Sequence, residues 1–120
     1  MLNPLSNHVS AEDAFHALGN SRRRHVILLV SRARDPVPTN EIAQEIAAIE
    51  NNITPKQVTT QQRTRVYNAL IQTHLDLLDE FGIIKYDDQT KIVTTTRNTS
   101  PIATFIEILQ NNCKGPGGNT

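Results

Sequence analysis

Beyond Thr59, apolar residues return every three or four positions. From Ile83 they form a short β-branched run, so the pattern predicts one long helix joined directly to a strand. At about 100° per residue, Val66, Tyr67, Leu70, Ile71, Leu75, Leu77 and Leu78 share one broad side of that helix. Gln61, Arg65, Asn68 and Gln72 fall in a narrow arc of the other side, with Gln62 and Thr73 at its margin and Asp76 and Asp79 further along. Arg63 lies nearer the apolar side, so its head must reach round to solvent or to a partner acid. Thr59 or Thr60 caps the start and Gly82 ends the helix near Phe81.

The same reading places further helices upstream. Ser10-Ala-Glu-Asp13 has the form of a capping box, and its helix, carrying Phe15 and Leu18, ends at Gly19. A second helix starts at Asn20 or Ser21, shows Val26, Ile27, Leu29, Val30 and Ala33 on its apolar face, and stops at Asp35-Pro36. Pro36-Val37-Pro38 is extended and supplies at most a short edge strand, because proline cannot donate to a ladder. Thr39 or Asn40 caps a third helix in which Ile42, Ile46 and Ile49 recur beside Ala43 and Ala47; a loop from Asn51 to Pro55 follows.

After Gly82, Ile83 to Tyr86 and Lys91 to Thr96 flank a turn, Asp87 to Thr90, and read as a hairpin that must pack on the helices to persist. Ser100 and Pro101 read as N-cap and first residue of a last helix striped by Ile102, Phe105, Ile106 and Leu109. The predicted fold is mainly α with a small β-hairpin wing: a winged helix-turn-helix over residues 10–97 and a C-terminal helix over 98–112. Residues 1–9 and 113–120 are expected to be loose.

A chain of 120 residues suits one domain. Its longest apolar run, Val26 to Val30, is far too short for a membrane span, and no secretory leader pattern opens it, so a cytoplasmic location is expected. Cys113 is the single cysteine and reads as an incidental thiol. The net charge is zero but unevenly spread. Ala14 to Arg34 holds five arginines and no acid, Asn51 to Leu75 holds Lys56, Arg63 and Arg65 and no acid, and Asp76 to Lys91 holds five acids and two lysines. Separate surface patches of opposite sign follow from this, and patches decide what a protein attracts.

Three stretches, "FHALGNSRRRHVILLV", "PVPTNEIAQEI" and "THLDLLDEFGIIKYD", resemble the successive helices and first wing strand of ArsR- and MarR-like regulators. Residues from about 14 to 96 are similar to a family of small winged-helix domains common in haloarchaea, through the triple arginine and the "QQRTRVYNALIQTHLDLLD" helix. The resemblance implies a DNA-binding, transcription-regulating domain whose helix after Thr59 lies in the major groove, with the hairpin as wing. The wing tip, Asp87-Asp88, departs from the basic tips of such regulators.

In that pose Gln61, Arg65, Asn68 and Gln72 face base edges, since amides and guanidinium groups pair bidentately with adenine and guanine. Arg22, Thr39, Asn40, Lys56, Thr60, Arg63, Thr73 and Lys91 are the expected phosphate contacts. Of the consecutive arginines Arg22 to Arg24, which fan around a helix, one is expected to pair with an internal acid and another to meet phosphate. A solvated amphipathic face and plain capping roles are the alternatives for the amide row and for Thr39 and Asn40. His74, on the apolar side, reads as a structural histidine.

Ile102, Phe105, Ile106 and Leu109 are the candidate dimerisation stripe of a homodimer. His8, His16 and His25 lack metal-site spacing, and no phosphate loop or nucleophile motif occurs, so neither a metal, a cofactor nor an enzymatic activity is expected. A winged-helix protein-interaction module is the alternative function, favoured by the neutral charge and the acidic tip. A ligand-responsive repressor stays open without an identified effector residue.

Overall fold

Ser10 opens the first helix by accepting a hydrogen bond from the Asp13 N–H at 3.0 Å, which satisfies one of the donors a helix start leaves over. The computed structural model describes residues 9–112. The expected loose tail from residue 113 with Cys113, and the lead up to residue 8 with His8, lie outside them. Val9, expected to be loose, packs against the core.

Helix α1 runs Ala11–Leu18, α2 Ser21–Arg32, strand β1 Val37–Pro38 and α3 Thr39–Asn51. After a 3-10 turn at Pro55–Gln57 come α4, Thr60–Ala69, a π turn, Leu70–His74, and α5, Leu75–Glu80, which together form the long helix. Strands β2, Ile84–Asp87, and β3, Ile92–Thr95, and helix α6, Thr99–Asn112, complete the order. Gly82 leaves the long helix at φ 78°, a left-handed conformation that glycine adopts without strain.

The sheet is antiparallel in the order β1-β3-β2, with Val37 opposite Val93 and Tyr86 also opposite Val93. The proline-bounded strand therefore lies at an edge, where its missing donor costs least. Helices α2, α3 and the long helix form the body and β2–β3 the wing, so the architecture is a winged-helix arrangement within a mainly helical α+β fold.

The core joins Val26, Ile27 and Val30 of α2 to Ile42 and Ile46 of α3, Leu70, Leu75 and Leu78 of the long helix, and Ile83, Ile84 and Val93 of the sheet. Each fully buried aliphatic side chain stabilises by about 1.5–3 kcal/mol relative to exposure. Two expectations need correction. Ile49, at the edge of its stripe, is 51% exposed, while Ala48 is buried beneath the turn whose Ile53 N–H donates to its carbonyl at 3.0 Å. Leu28, left off the apolar face of α2, is buried, and Ala33 is exposed, because α2 is covered by α3, α6 and β3 on different sides.

The last helix also differs from its expected role. It starts at Thr99 rather than Pro101. The fully buried Thr99 hydroxyl donates to the Ile83 carbonyl at 2.6 Å and accepts from the Thr96 N–H at 2.8 Å. Ala103 and Ile106 are buried and Ile102 packs against the core, while Arg32 and Glu107 form an ion pair at 2.9 Å between α2 and α6. Ile102 and Ile106 therefore serve their own domain and not a dimer contact, leaving Phe105, Leu109 and the unforeseen Ile108 exposed.

Thr99→Val keeps the shape but leaves the Ile83 carbonyl and the Thr96 N–H without this hydroxyl. Thermal unfolding should show a loss of about 1–3 kcal/mol, whereas Ile49→Lys should stay within about 0.5 kcal/mol of the parent. Equal midpoints for Thr99→Val and the parent would contradict this role.

Candidate nucleic-acid interface

The long helix begins with a reciprocal cap. Thr59 Oγ1 accepts from the Gln62 N–H at 3.1 Å, and Gln62 Oε1 accepts from the Thr59 N–H at 2.9 Å. Gln62 is thereby committed to the helix start. Beyond it, Gln61, Arg65, Asn68 and Gln72 are all exposed, and among the described residues their side chains make no hydrogen bond or ion pair. Thr60, Thr64 and Thr73 are exposed as well. Thr64 is missing from the expected site, although it stands one helical step before Arg65 and the same arithmetic would have placed it beside the row.

The opposite side anchors this helix through Val66, Leu70, Leu75 and Leu78. Arg63 turns inward, as its position near the apolar side demands, but its partner is the amide Gln44, 3.3 Å away, rather than an acid or a phosphate. Gln44 in turn donates to the Pro55 carbonyl at 2.7 Å. The pair braces the turn that presents Lys56, which is exposed.

The arginine triplet is structural throughout. Arg22, expected at a phosphate, is held bidentately by Glu50 of α3, with Nε 2.7 Å and a terminal nitrogen 2.8 Å from its carboxylate oxygens. Arg23 is 8% exposed, donating to the Ala17 carbonyl at 3.2 Å, the His16 carbonyl at 2.7 Å and His74 Nδ1 at 3.3 Å. Arg24 donates to the Leu18 carbonyl. The last carbonyls of α1 carry the negative end of the helix dipole, and among the described residues only the backbone N–H of Gly19 reaches back to them, shared between Phe15 and His16, so two guanidinium groups complete the cap. Burial lowers the Arg23 pKa, though a guanidinium stays charged at any ordinary pH.

His74 is buried, as expected of a structural histidine, and closes the π turn. Burial, then the charges of Arg23 and Arg22, hold its pKa below the ordinary imidazole value. A π turn inserts an extra residue into the helical repeat, so extrapolation at a constant angle fails past it. Asp79, expected beside the polar row, is half-buried and accepts from the Tyr86 N–H at 2.7 Å, tying the helix end to β2.

Two further phosphate expectations fall in the wing region. Thr39 is buried, and both its N–H and its hydroxyl donate to the Lys91 carbonyl, at 2.9 Å and 2.7 Å. It does not cap α3, whose N-cap is Pro38. Lys91 has φ 61° and its ammonium group lies 2.9 Å from Asp88. Asp87 accepts from the Gln89 and Thr90 N–H groups, which explains an acid at the tip as turn chemistry. Asn40, Lys56, Thr60 and Thr73 alone of the eight expected phosphate contacts are both exposed and uncommitted.

Residues 15–94 match the family model described as Domain of unknown function (DUF7344). The chain belongs to that family. No curated protein matches it, and no solved structure does. The DUF7344 segment begins in α1 and stops inside β3, so it contains the long helix and the wing and excludes α6.

Chemically, the exposed face of this DUF7344 domain offers amide and hydroxyl hydrogen bonding with one guanidinium. A cleft of about 400 Å³ lies between α3 and α4, lined by Asn40, Glu41, Gln44, Glu45, Pro55 and Arg63. Among the described residues no group of three or more His, Cys, Asp or Glu is clustered as a metal site requires, and no helix is long and apolar enough to cross a membrane.

Arg23→Met strands the acceptors of α1 and His74, and should lower stability by about 2 kcal/mol. Arg22→Ala removes a half-exposed ion pair and should cost less than about 1 kcal/mol. Denaturant titration ranks the two, and the reverse order would contradict the structural assignment of the triplet.

Proposed function

We propose that this domain is a sequence-specific double-stranded DNA-binding transcriptional regulator, a repressor acting as a homodimer with the long helix in the major groove. The observation that carries the reading is the exposed, uncommitted row Gln61, Arg65, Asn68 and Gln72 on a helix anchored along its other side. A polar row of this kind costs nothing to leave in water, so its presence alone decides little. Its combination of bidentate residue types with a winged-helix frame is what favours base reading. The resemblance to ArsR- and MarR-like regulators supports the same pose.

The phosphate set is smaller than the sequence suggests. Lys56 is the phosphate-facing cation of this face without an internal partner among the described residues, and Arg65, the base reader, is the other free cation there; Asn40, Thr60 and Thr73 add neutral donors. Two protomers then release about two to four counterions, so log K should fall with log salt at a slope of about −2 to −4. For the dimer, Phe105, Ile108 and Leu109 are 42%, 50% and 40% exposed on a helix whose one charged side chain, Glu107, is paired with Arg32. An apolar face of this kind suits a second copy of itself across a two-fold axis.

The protein-interaction alternative is favoured by Glu41 and Glu45, which are exposed on α3 and line the cleft with Arg63, and by the acidic wing tip. Selection of bound fragments from random duplexes, followed by gel shift, separates the two readings. Recovered sites should show two related half-sites, and Arg65→Ala or Asn68→Ala should cost about 1–3 kcal/mol on them with little change on random DNA. Lys56→Ala should weaken both alike. No retardation at micromolar protein and moderate salt would replace this reading by the interaction module.

Phe105→Glu with Ile108→Glu should leave the monomer folded and shift sedimentation from dimer to monomer. A parent that sediments as a monomer at all accessible concentrations would remove the dimer from the account.

A further inference from the structure

The contact between Arg23 and His74 exists only for one charge state of the imidazole. A guanidinium has donors and no acceptor, so its N–H at 3.3 Å from Nδ1 is a hydrogen bond only while that nitrogen keeps its lone pair. Both residues are 8% exposed. The other partners of Arg23 are the carbonyls of His16 and Ala17, so no carboxylate is bonded to it. The charged groups that bear on the imidazole are Arg23 and Arg22 of α2, both cations; Glu50 of α3 is paired with Arg22, and Arg23 has no carboxylate partner among the described residues. From α1 come carbonyls, while the His16 ring itself lies against Phe81 with centroids 5.5 Å apart.

His74 also closes the π turn, the least regular part of the long helix, in which Gln72 and Thr73 are exposed. Few single groups are placed to act on the geometry of that face; this one is bonded to a neighbouring helix through a titratable atom.

We propose that Arg23 and His74 form an acid-sensitive latch on the long helix: a proton taken from solvent by His74 Nδ1 replaces the hydrogen bond with two like charges in contact and releases the π turn that carries Gln72 and Thr73. The consequence for duplex binding rests on the DNA reading above; the latch itself does not.

The sign follows from linkage. The latched form resists protonation, and the released form takes its proton near the ordinary imidazole value of about 6.5. The released population therefore grows as pH falls below about 6.5, by up to tenfold per pH unit, until the latched form also protonates. Burial also lowers the pKa of His25, so the readout must be residue-specific.

The test uses the full chain. Imidazole NMR between about pH 8 and pH 5 should show His74 titrating below about 6.5. Over the same range the amide protection of Gln72 to Leu75, corrected for intrinsic exchange, should fall by up to tenfold per pH unit. His74→Gln keeps an acceptor for Arg23 without a titration, and should hold that protection constant. A His74 that titrates at or above the ordinary value, or protection that stays constant through its titration, overturns the latch; these parent measurements decide the matter even if the variant does not fold. Affinity of the parent for a selected duplex should drop by up to about tenfold per pH unit as the latch opens, and constancy across the range overturns the coupling to that face. Failure to bind any duplex at neutral pH removes the DNA reading and leaves the latch to be judged by NMR.

Discussion

Arg23 reaches from the first turn of α2 into the junction between α1 and the π turn, where its donors meet the carbonyls of His16 and Ala17 and the imidazole of His74. Burying a charge is costly unless it is hydrogen-bonded. Here the answer comes from the orphan carbonyls of a helix end, which need donors in turn, and from a neutral histidine. Three elements must be in register at once for the arrangement to hold. The packing of α1 on α2 and of α2 on the long helix then follows, with Arg22 and Glu50 extending the tie to α3.

That junction sets what the exposed side of the long helix can do. With its apolar side filled by Val66, Leu70, Leu75 and Leu78, and its ends held by the Thr59–Gln62 cap and the Asp79–Tyr86 bond, the helix is a rigid platform. Rigidity matters because bidentate pairing with a base edge tolerates little angular error. The wing is fastened to α3 as well, since Thr39 clamps the Lys91 carbonyl. Its acidic tip is absorbed by its own turn and by Lys91.

Much of this was legible in the sequence, and the failures have identifiable causes. The helix order, the proline-bounded edge strand, the Thr59 cap and the Gly82 stop all follow from local rules of periodicity, capping and backbone freedom, which act over a few residues. The exposure of the row Gln61, Arg65, Asn68 and Gln72 on the long helix follows from the same local rules. The roles of Arg22, Thr39, Arg63 and Lys91 were not, because each is decided by a partner distant in the chain or by burial that only packing creates: Glu50, the Lys91 carbonyl, Gln44 and a wing turn with Lys91 in a left-handed conformation. Asp79 was misplaced because a π turn breaks the constant rotation on which helical arithmetic relies. Ile106 was assigned to a partner because an apolar stripe does not reveal whether α2 or a second copy covers it.

The central claim is that the amide row of the long helix, and not the arginine triplet, meets DNA. It is tested most directly by mapping side-chain NMR perturbations while a selected duplex is added to the labelled full chain. The account predicts that the side-chain amides of Gln61, Asn68 and Gln72 and the Arg65 Nε–H shift strongly, while the Nε–H signals of Arg22 and Arg23 keep their positions. Large shifts at Arg22 and Arg23 with an unmoved amide row would contradict it.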